Sequence, residues 1–168
     1  MRGAPMDKEQ VIAELNHILS LEYTAVLQYT HESLLVDGLE RPYYVEMFRR
    51  EAAEALAHAH LIGEKIVALG GVPTTEVGEV VAATDLPEML RINLRLESAA
   101  VEAYRRALAV AQDDVALRTV LESQVAAEQA SVDELLRILK GVEEGGSEPR
   151  ASEVPEPARA RRARSRRA

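Results

Sequence analysis

Residues 71–85, GVPTTEVGEVVAATD, separate two long helical halves of the chain, and their length sets how those halves can be connected. Pro73 and Gly78 interrupt the helical periodicity, so this stretch is predicted to be a linker. Extended at roughly 3.3 Å per residue, it reaches roughly 50 Å, whereas a helix of about 28 residues is roughly 42 Å long. The linker can therefore run the full length of a helical bundle, so that the third helix begins at the same end as the second. A loose loop in a plain up-and-down bundle is the alternative.

Apolar residues at steps of three and four predict two helices on each side of this linker. The predicted helices run from Asp7 to Asp37, from Arg41 to Gly70, from Asp85 to Asp113 and from Asp114 to Gly141. Because the joints at 37–41 and 112–114 are short, the helices that they connect are expected to be antiparallel neighbours. The predicted fold is all-α, a four-helix bundle with one long crossover between helices two and three.

The composition agrees with an all-α fold and limits the chemistry. Aromatic residues make up only 4% of the 168 residues, and cysteine is absent. A β-sandwich would use more aromatic and β-branched residues, and a chain without cysteine has no disulfides, zinc–thiolate sites or iron–sulfur clusters. No apolar run approaches the length of about 18 residues that predicts a membrane span. Since the first residues also lack the apolar core of a secretory signal, we expect a cytoplasmic protein.

Charge is distributed unevenly along the chain. The net charge is −8, but residues 150–168 contain seven arginines and only two glutamates, so the residues before them are strongly acidic. The residues from 145 onward are rich in Gly, Pro, Glu and Arg, which predicts a disordered tail at 145–168 after a folded domain at 1–144. An Arg-rich tail can bind nucleic acid, an anionic membrane or an acidic partner, or it can be solubilising only.

Carboxylates interrupt the apolar stripe near the middle of each predicted helix. Glu22, Glu97 and Glu128 do so in helices one, three and four, and helix two carries Glu51 and His58 on its stripe. An unpaired buried carboxylate costs several kcal/mol or becomes protonated. Four at matching heights share one explanation, a multivalent cation between the helices, and oxygen ligands with an imidazole suit iron or manganese, with zinc possible. Taken singly, each residue could instead lie on the surface or in an ordinary core.

These residues resemble those of bacterioferritin, in the ferritin-like diiron-carboxylate family, over residues 7–141. Residues 21–29, LEYTAVLQY, resemble the family segment in which a ligand glutamate precedes Gln-Tyr, and residues 58–73 resemble the stretch from its ligand histidine to a Gly-x-Pro loop. Residues 88–97 and Glu128 match the helices that carry the remaining ligands. The resemblance implies four metal ligands and one nearby electron donor: Glu22, His58, Glu97, Glu128 and, as the donor, Tyr29.

The sequence departs from the family pattern in two places. The family pairs its ligands as Glu-x-x-His on each of two helices. Ala55 stands where the glutamate before His58 is expected, and Ser131 stands where the second histidine is expected. Glu54, one turn before His58, is the predicted replacement ligand, with Glu51 as the second candidate.

The resemblance implies an iron-binding protein that oxidises Fe(II) at this site, supports iron storage or detoxification, and assembles from several copies of the chain. Leu56 stands at the position of the family's haem-ligating methionine, so haem is not expected. The alternative is a ferritin-like scaffold with an incomplete metal site, which Ala55 and Ser131 favour. A Dps-like protein that binds DNA through the Arg-rich tail would combine the two hypotheses.

Overall fold

The computed structural model describes residues 7–111 and 114–145, and within these ranges the chain forms four helices and no strand. The helices are α1 (Lys8–Leu35), α2 (Arg41–Ala68), α3 (Leu86–Val110) and α4 (Val115–Gly145). The predicted all-α fold is confirmed. From residue 146 onward the predicted tail lies outside the described residues, and its disorder stays a prediction.

Local signals start and stop most of these helices. The side chains of Asp7, Asp85 and Asp114 accept hydrogen bonds of 2.9–3.2 Å from backbone N–H groups of the first turn. Such caps satisfy donors that the helix leaves unpaired. Gly38 and Gly70 follow α1 and α2 with φ values of 89° and 88°, a left-handed conformation that favours glycine and ends a helix. The helix starts predicted at Asp7 and Asp85 are confirmed.

The fourth helix extends beyond its predicted end at Gly141 and reaches Gly145, so that prediction was wrong. A glycine is tolerated within a helix where tertiary contacts stabilise the following turn. Val142 packs against the apolar cluster at this end of the bundle. Arg91 of α3 also places its Nη2 3.1 Å from Glu143 Oε1. Both contacts come from outside α4, so the local sequence does not show them.

The segment between α2 and α3 follows α1 along most of its length. Three side chains of α1 bind successive points of this crossover, and these contacts are Asn16 with Val72 and Thr74, Thr24 with Gly78, and Gln28 with Val81. The crossover therefore runs parallel to α1, and α3 begins at the same end of the bundle as α2. The predicted long crossover is confirmed, and the up-and-down alternative is wrong.

Helix packing produces two apolar clusters with a polar layer between them. α1 packs against α2, and α3 packs against α4, as the short joints predicted, and α1 also packs against α3. Leu15, Ile62 and Leu121 belong to the cluster at one end of the bundle, and Phe48 and Leu135 belong to the cluster at the other end. The layer between the clusters contains the carboxylates that the sequence placed at mid-helix.

Candidate metal centre

Three helices each contribute one residue to a group in the polar layer that could hold a metal ion. Glu22 of α1, His58 of α2 and Glu128 of α4 each offer one ligand atom, and these atoms lie within 4.8 Å of one another. His58 Nδ1 is 2.8 Å from Glu128 Oε1 and 3.6 Å from Glu22 Oε1. Two carboxylates and one imidazole at this spacing suit a single hard or borderline divalent cation.

Two buried tyrosines hold the carboxylates of α1 and α3. Tyr29 OH donates a hydrogen bond of 2.5 Å to Glu97 Oε1, and Tyr104 OH donates one of 2.7 Å to Glu22 Oε1. Each tyrosine follows the glutamate of its own helix by seven residues, which is about two helical turns. The two helices therefore exchange equivalent hydrogen bonds, and each bond fixes one oxygen of a site carboxylate.

Burial makes these carboxylates difficult to ionise. Burial raises the pKa of Glu97 well above its usual value, and the neighbouring Glu128 carboxyl raises it further. Burial also raises the pKa of Glu22, although His58 opposes this. For His58 itself burial lowers the pKa, but the hydrogen bonds and charges of Glu128 and Glu22 outweigh this effect and raise it to about 10. Protons thus supply positive charge to the layer, and a divalent cation can supply it instead.

A cavity of about 20 Å³ adjoins the ligand residues, and its lining includes the small side chains of Ala55 and Ser131. Glu128 is only 3% exposed, and the contact of 2.8 Å between its Oε1 and His58 Nδ1 is not aligned as a hydrogen bond. Buried carboxylate oxygens normally have a hydrogen-bond partner, so an oxygen of this kind beside a cavity fits a bound cation.

The structure brings together four of the five predicted ligands, Glu22, His58, Glu97 and Glu128. Glu54, the fifth, lines the rim of the cavity with 55% of its side chain exposed, and its Oε1 is 3.9 Å from Arg50. Glu51, the second candidate, lines the same cavity and is only 12% exposed. Metal ligation by these residues stays a prediction.

Besides Glu22, α1 carries another buried carboxylate, Glu32, which the sequence analysis did not predict. Its two oxygens accept hydrogen bonds of 2.7 Å from Gln28 Nε2 and 2.6 Å from Asn93 Nδ2. Gln28 in turn exchanges two hydrogen bonds with the backbone of Val81 in the crossover. The signal was present, because Glu32 continues the buried stripe three residues after Tyr29. This network ties the crossover to α1 and α3.

A four-helix bundle with one long crossover and a mid-bundle layer of carboxylates and imidazole is the architecture of carboxylate-type metal proteins. Residues 12–144 match the family model described as "Ferritin-like domain". The chain therefore belongs to the ferritin-like family, in which it is a bacterioferritin-like member. The predicted family is confirmed.

Several relatives are similar over most of their length. A bacterioferritin from Desulfovibrio desulfuricans is 30% identical over 126 residues, which cover 73% of this chain and 70% of the relative. A bacterioferritin from Streptomyces coelicolor is 28% identical over 149 residues, which cover 87% of each protein. The crystal structure of a ferritin-like, diiron-carboxylate protein from Bacillus anthracis has a TM-score of 0.77 and 32% identity, covering 83% of this chain and 99% of that one. The X-ray structure of the Desulfovibrio desulfuricans bacterioferritin has a TM-score of 0.79 and 27% identity, covering 87% of this chain and 88% of that one.

Two further expectations concern cellular location and haem. None of the helices in the described part of the chain is both long and apolar enough to cross a membrane. The cytoplasmic location stays a prediction, as does the expectation, from Leu56, that haem is not bound.

Proposed function

We propose that this protein binds Fe(II) in the polar layer of the bundle, oxidises it to Fe(III) and so supports iron storage or detoxification. The observation that carries the proposal is the convergence of Glu22, His58 and Glu128, whose ligand atoms lie within 4.8 Å of one another. The similarity to bacterioferritins and to a diiron-carboxylate protein supports iron as the cation. Manganese and zinc fit the same donor atoms, and iron is preferred because of this similarity.

The donor set favours oxidation of the bound iron. Carboxylate oxygens are hard, anionic ligands, and they stabilise Fe(III) relative to Fe(II). Iron is the substrate here, and two Fe(II) ions lose two electrons while dioxygen takes up those electrons and two protons to give hydrogen peroxide. Peroxide can serve as the oxidant in the same way, in which case it is reduced to water. The Fe(III) product then leaves the site.

Tyr29 is proposed as an electron donor close to the site. Its hydroxyl donates a hydrogen bond to Glu97. When peroxide is the oxidant, one Fe(II) and the Tyr29 ring can together supply the two electrons that reduce it to water, and the phenolic proton then passes to the ionised Glu97 carboxylate. Burial raises the pKa of Tyr29 well above its usual value, and the charge of Glu97 raises it further. The ring therefore stays protonated and keeps this hydrogen bond until it is oxidised.

The test of the proposed function is Fe(II) oxidation under air, followed by the near-ultraviolet absorbance of Fe(III). His58→Ala removes the only imidazole of the ligand group and should reduce the initial rate at least about tenfold. His60→Ala is the matched control, because His60 lies on the same helix but is exposed and outside the ligand group. Equal initial rates in the His58→Ala and His60→Ala variants would contradict the proposed function.

Assembly into a homo-oligomer is also proposed. Leu27 and Leu34 of α1 lie seven residues apart on one face and are exposed, and Leu56 is exposed on the adjacent α2. Burial of such residues against a second copy removes apolar surface from water. Light scattering coupled to size-exclusion chromatography tests this, since Leu34→Glu should lower the assembled mass. A monomeric wild-type protein would contradict the proposal.

The alternative function is a scaffold with a degenerate site. Ala55 and Ser131 favour it, because neither side chain replaces the carboxylate or imidazole that the family pattern has there. If the protein is a scaffold of this kind, the wild-type protein should oxidise Fe(II) no faster than the His58→Ala variant. Nucleic-acid binding through the Arg-rich tail stays a prediction, which a DNA-retardation assay with and without residues 150–168 tests.

A further inference from the structure

We propose that residues 155–162 of this chain, PEPARARR, bind an aromatic groove at the end of the bundle where α4 ends. The groove lies between the beginning of α2 and the last turns of α4, and it consists of two adjoining hollows of about 530 and about 430 Å³. Both hollows are lined by Glu40, Tyr43 and Tyr44. The groove shares no lining residue with the cavity of the metal centre, so this inference does not depend on the proposed function.

The groove exposes apolar side chains that the core holds in place. Leu39 is fully exposed, and Tyr43 is 57% exposed. The Tyr43 ring stands edge-on to the ring of Tyr44, with centroids 5.0 Å apart, and Tyr44 packs against the buried Phe48. Adjacent exposed apolar side chains are typical of an interaction surface. Because tyrosine has few rotatable bonds, an aromatic surface of this kind loses little conformational entropy when it is covered.

Residues 155–162 have the composition that aromatic grooves bind. Pro155 and Pro157 are the only two prolines of the chain that stand within three residues of each other, and three arginines follow them. Proline fixes φ near −65°, which favours the polyproline II conformation. Segments in this conformation bind aromatic-lined grooves, and their restricted backbone lowers the entropy lost on binding. The disorder predicted for the tail then applies to the residues before and after this segment.

The described part of the chain ends beside the groove. Gly141 and Val142 line it from α4, and α4 ends at Gly145, about one helical turn later. Pro155 follows Gly145 by ten residues, which extend to at most roughly 33 Å. A short flexible tether gives an effective concentration of roughly millimolar, so a weak contact is sufficient for binding within one chain. The groove of the same chain is therefore the nearest one that the segment can reach.

Charge also fits the proposed occupant. Residues 150–168 contain seven arginines and two glutamates, and Glu40 is an exposed carboxylate in both hollows. Burial and the charge of Glu40 raise the pKa of Tyr44, so this carboxylate lies close to the rings. An arginine at this position can pair with Glu40 and stack on an aromatic face. The one cation in the lining, Arg137, has its Nη1 3.7 Å from Glu134 Oε2, which offsets its charge.

Disulfide cross-linking of the full-length protein tests the inference, because the chain has no cysteine of its own. Leu39→Cys with Ala158→Cys joins the groove to the segment. Leu136→Cys with Ala158→Cys is the matched control, since Leu136 is exposed on α4 but does not line the groove. Under mild oxidation the first pair should cross-link at least about fivefold faster than the second, because binding raises the local concentration only in the groove. Adding Tyr43→Ser to the first pair should bring its rate close to that of the control.

Non-reducing electrophoresis distinguishes the outcomes. A cross-linked single chain formed faster at Leu39 supports the proposal. A covalent dimer would assign the groove to the tail of a second copy and overturn binding within one chain. Equal rates for the Leu39 and Leu136 pairs, or no effect of Tyr43→Ser, would overturn the groove as the binding surface.

A second measurement applies if a cysteine variant does not fold. Iodination of Tyr43, followed by mass spectrometry, compares the wild-type protein with Pro155→Ser/Pro157→Ser, whose changes lie outside the four helices. Loss of the bound segment should make Tyr43 react at least about threefold faster in this variant, since the ring is no longer covered. Equal reactivity in the two proteins would overturn the proposal.

Discussion

We predict that Glu32 makes the bundle less stable as the pH rises. The loss of stability falls between pH 4.5, the ordinary pKa of this carboxyl, and pH of about 7, its pKa in the folded chain. Burial raises the pKa of this carboxyl to about 7, against the opposing effect of the hydrogen bonds from Asn93 and Gln28. Between these two values the folded chain holds a proton that the unfolded chain has released. The free energy of unfolding therefore falls by about 1.4 kcal/mol per pH unit in this window, a total of about 3 kcal/mol, and is constant above it.

Glu32→Gln should remove this pH dependence, because an amide does not ionise. The side chain of Asn93 can accept the change, since its Oδ1 has no hydrogen-bond partner and a rotated amide offers that oxygen to the new Gln N–H. The difference in unfolding free energy between the variant and the wild-type protein should grow by about 2–3 kcal/mol in favour of the variant from about pH 5 to about pH 8.

Urea denaturation at both pH values, with a chelator present and one protein concentration throughout, measures this difference. The metal-site carboxylates contribute equally to both proteins and cancel. Glu122→Gln, at an exposed position of α4, serves as the control and should change the unfolding free energy by less than about 0.5 kcal/mol. Parallel pH profiles for Glu32→Gln and the wild-type protein would refute the argument that burial keeps Glu32 protonated.

Three further predictions concern the elements that position the site. Asp85→Ala removes the side-chain cap of α3 and should cost about 1 kcal/mol in urea denaturation, and no loss would contradict a role for the cap. Gly71→Ala places a Cβ 2.8 Å from Ile12 Cγ2 and should destabilise by about 1–3 kcal/mol, whereas Gly63→Ala meets nothing within 4 Å and should be neutral or stabilising by up to about 1 kcal/mol. Gln28→Ala releases the crossover at Val81, so hydrogen exchange of the Val81 amide should become faster, and unchanged protection would show that other contacts hold the segment.

Much of the fold could be predicted because its signals are local or periodic. The capping aspartates Asp7 and Asp85 accept hydrogen bonds from their own helices, and the same helical period that marks the core also marks Glu22 and Glu97 as residues facing it. The extension of α4 to Gly145 was not predicted, because the contacts of its last turn with Arg91 and the apolar cluster come from other helices and do not show in the local sequence. The burial of Glu32 could have been predicted from its place on the stripe of α1, but its partner Asn93 could not, because that residue is distant in sequence.

By itself, the sequence determined the helical class and the carboxylates and imidazole that line the middle of the bundle. These properties follow from residue spacing, which is the same in any helix of this length. The tertiary structure alone decided how deeply Glu51 and Glu54 are buried, because both lie near the inner face of α2 in the sequence pattern and both line the cavity, but their side chains are 12% and 55% exposed. Residue spacing does not show this difference, because it depends on how α2 packs in the bundle and on Arg50, whose contact with Glu51 is 2.8 Å and whose contact with Glu54 is 3.9 Å.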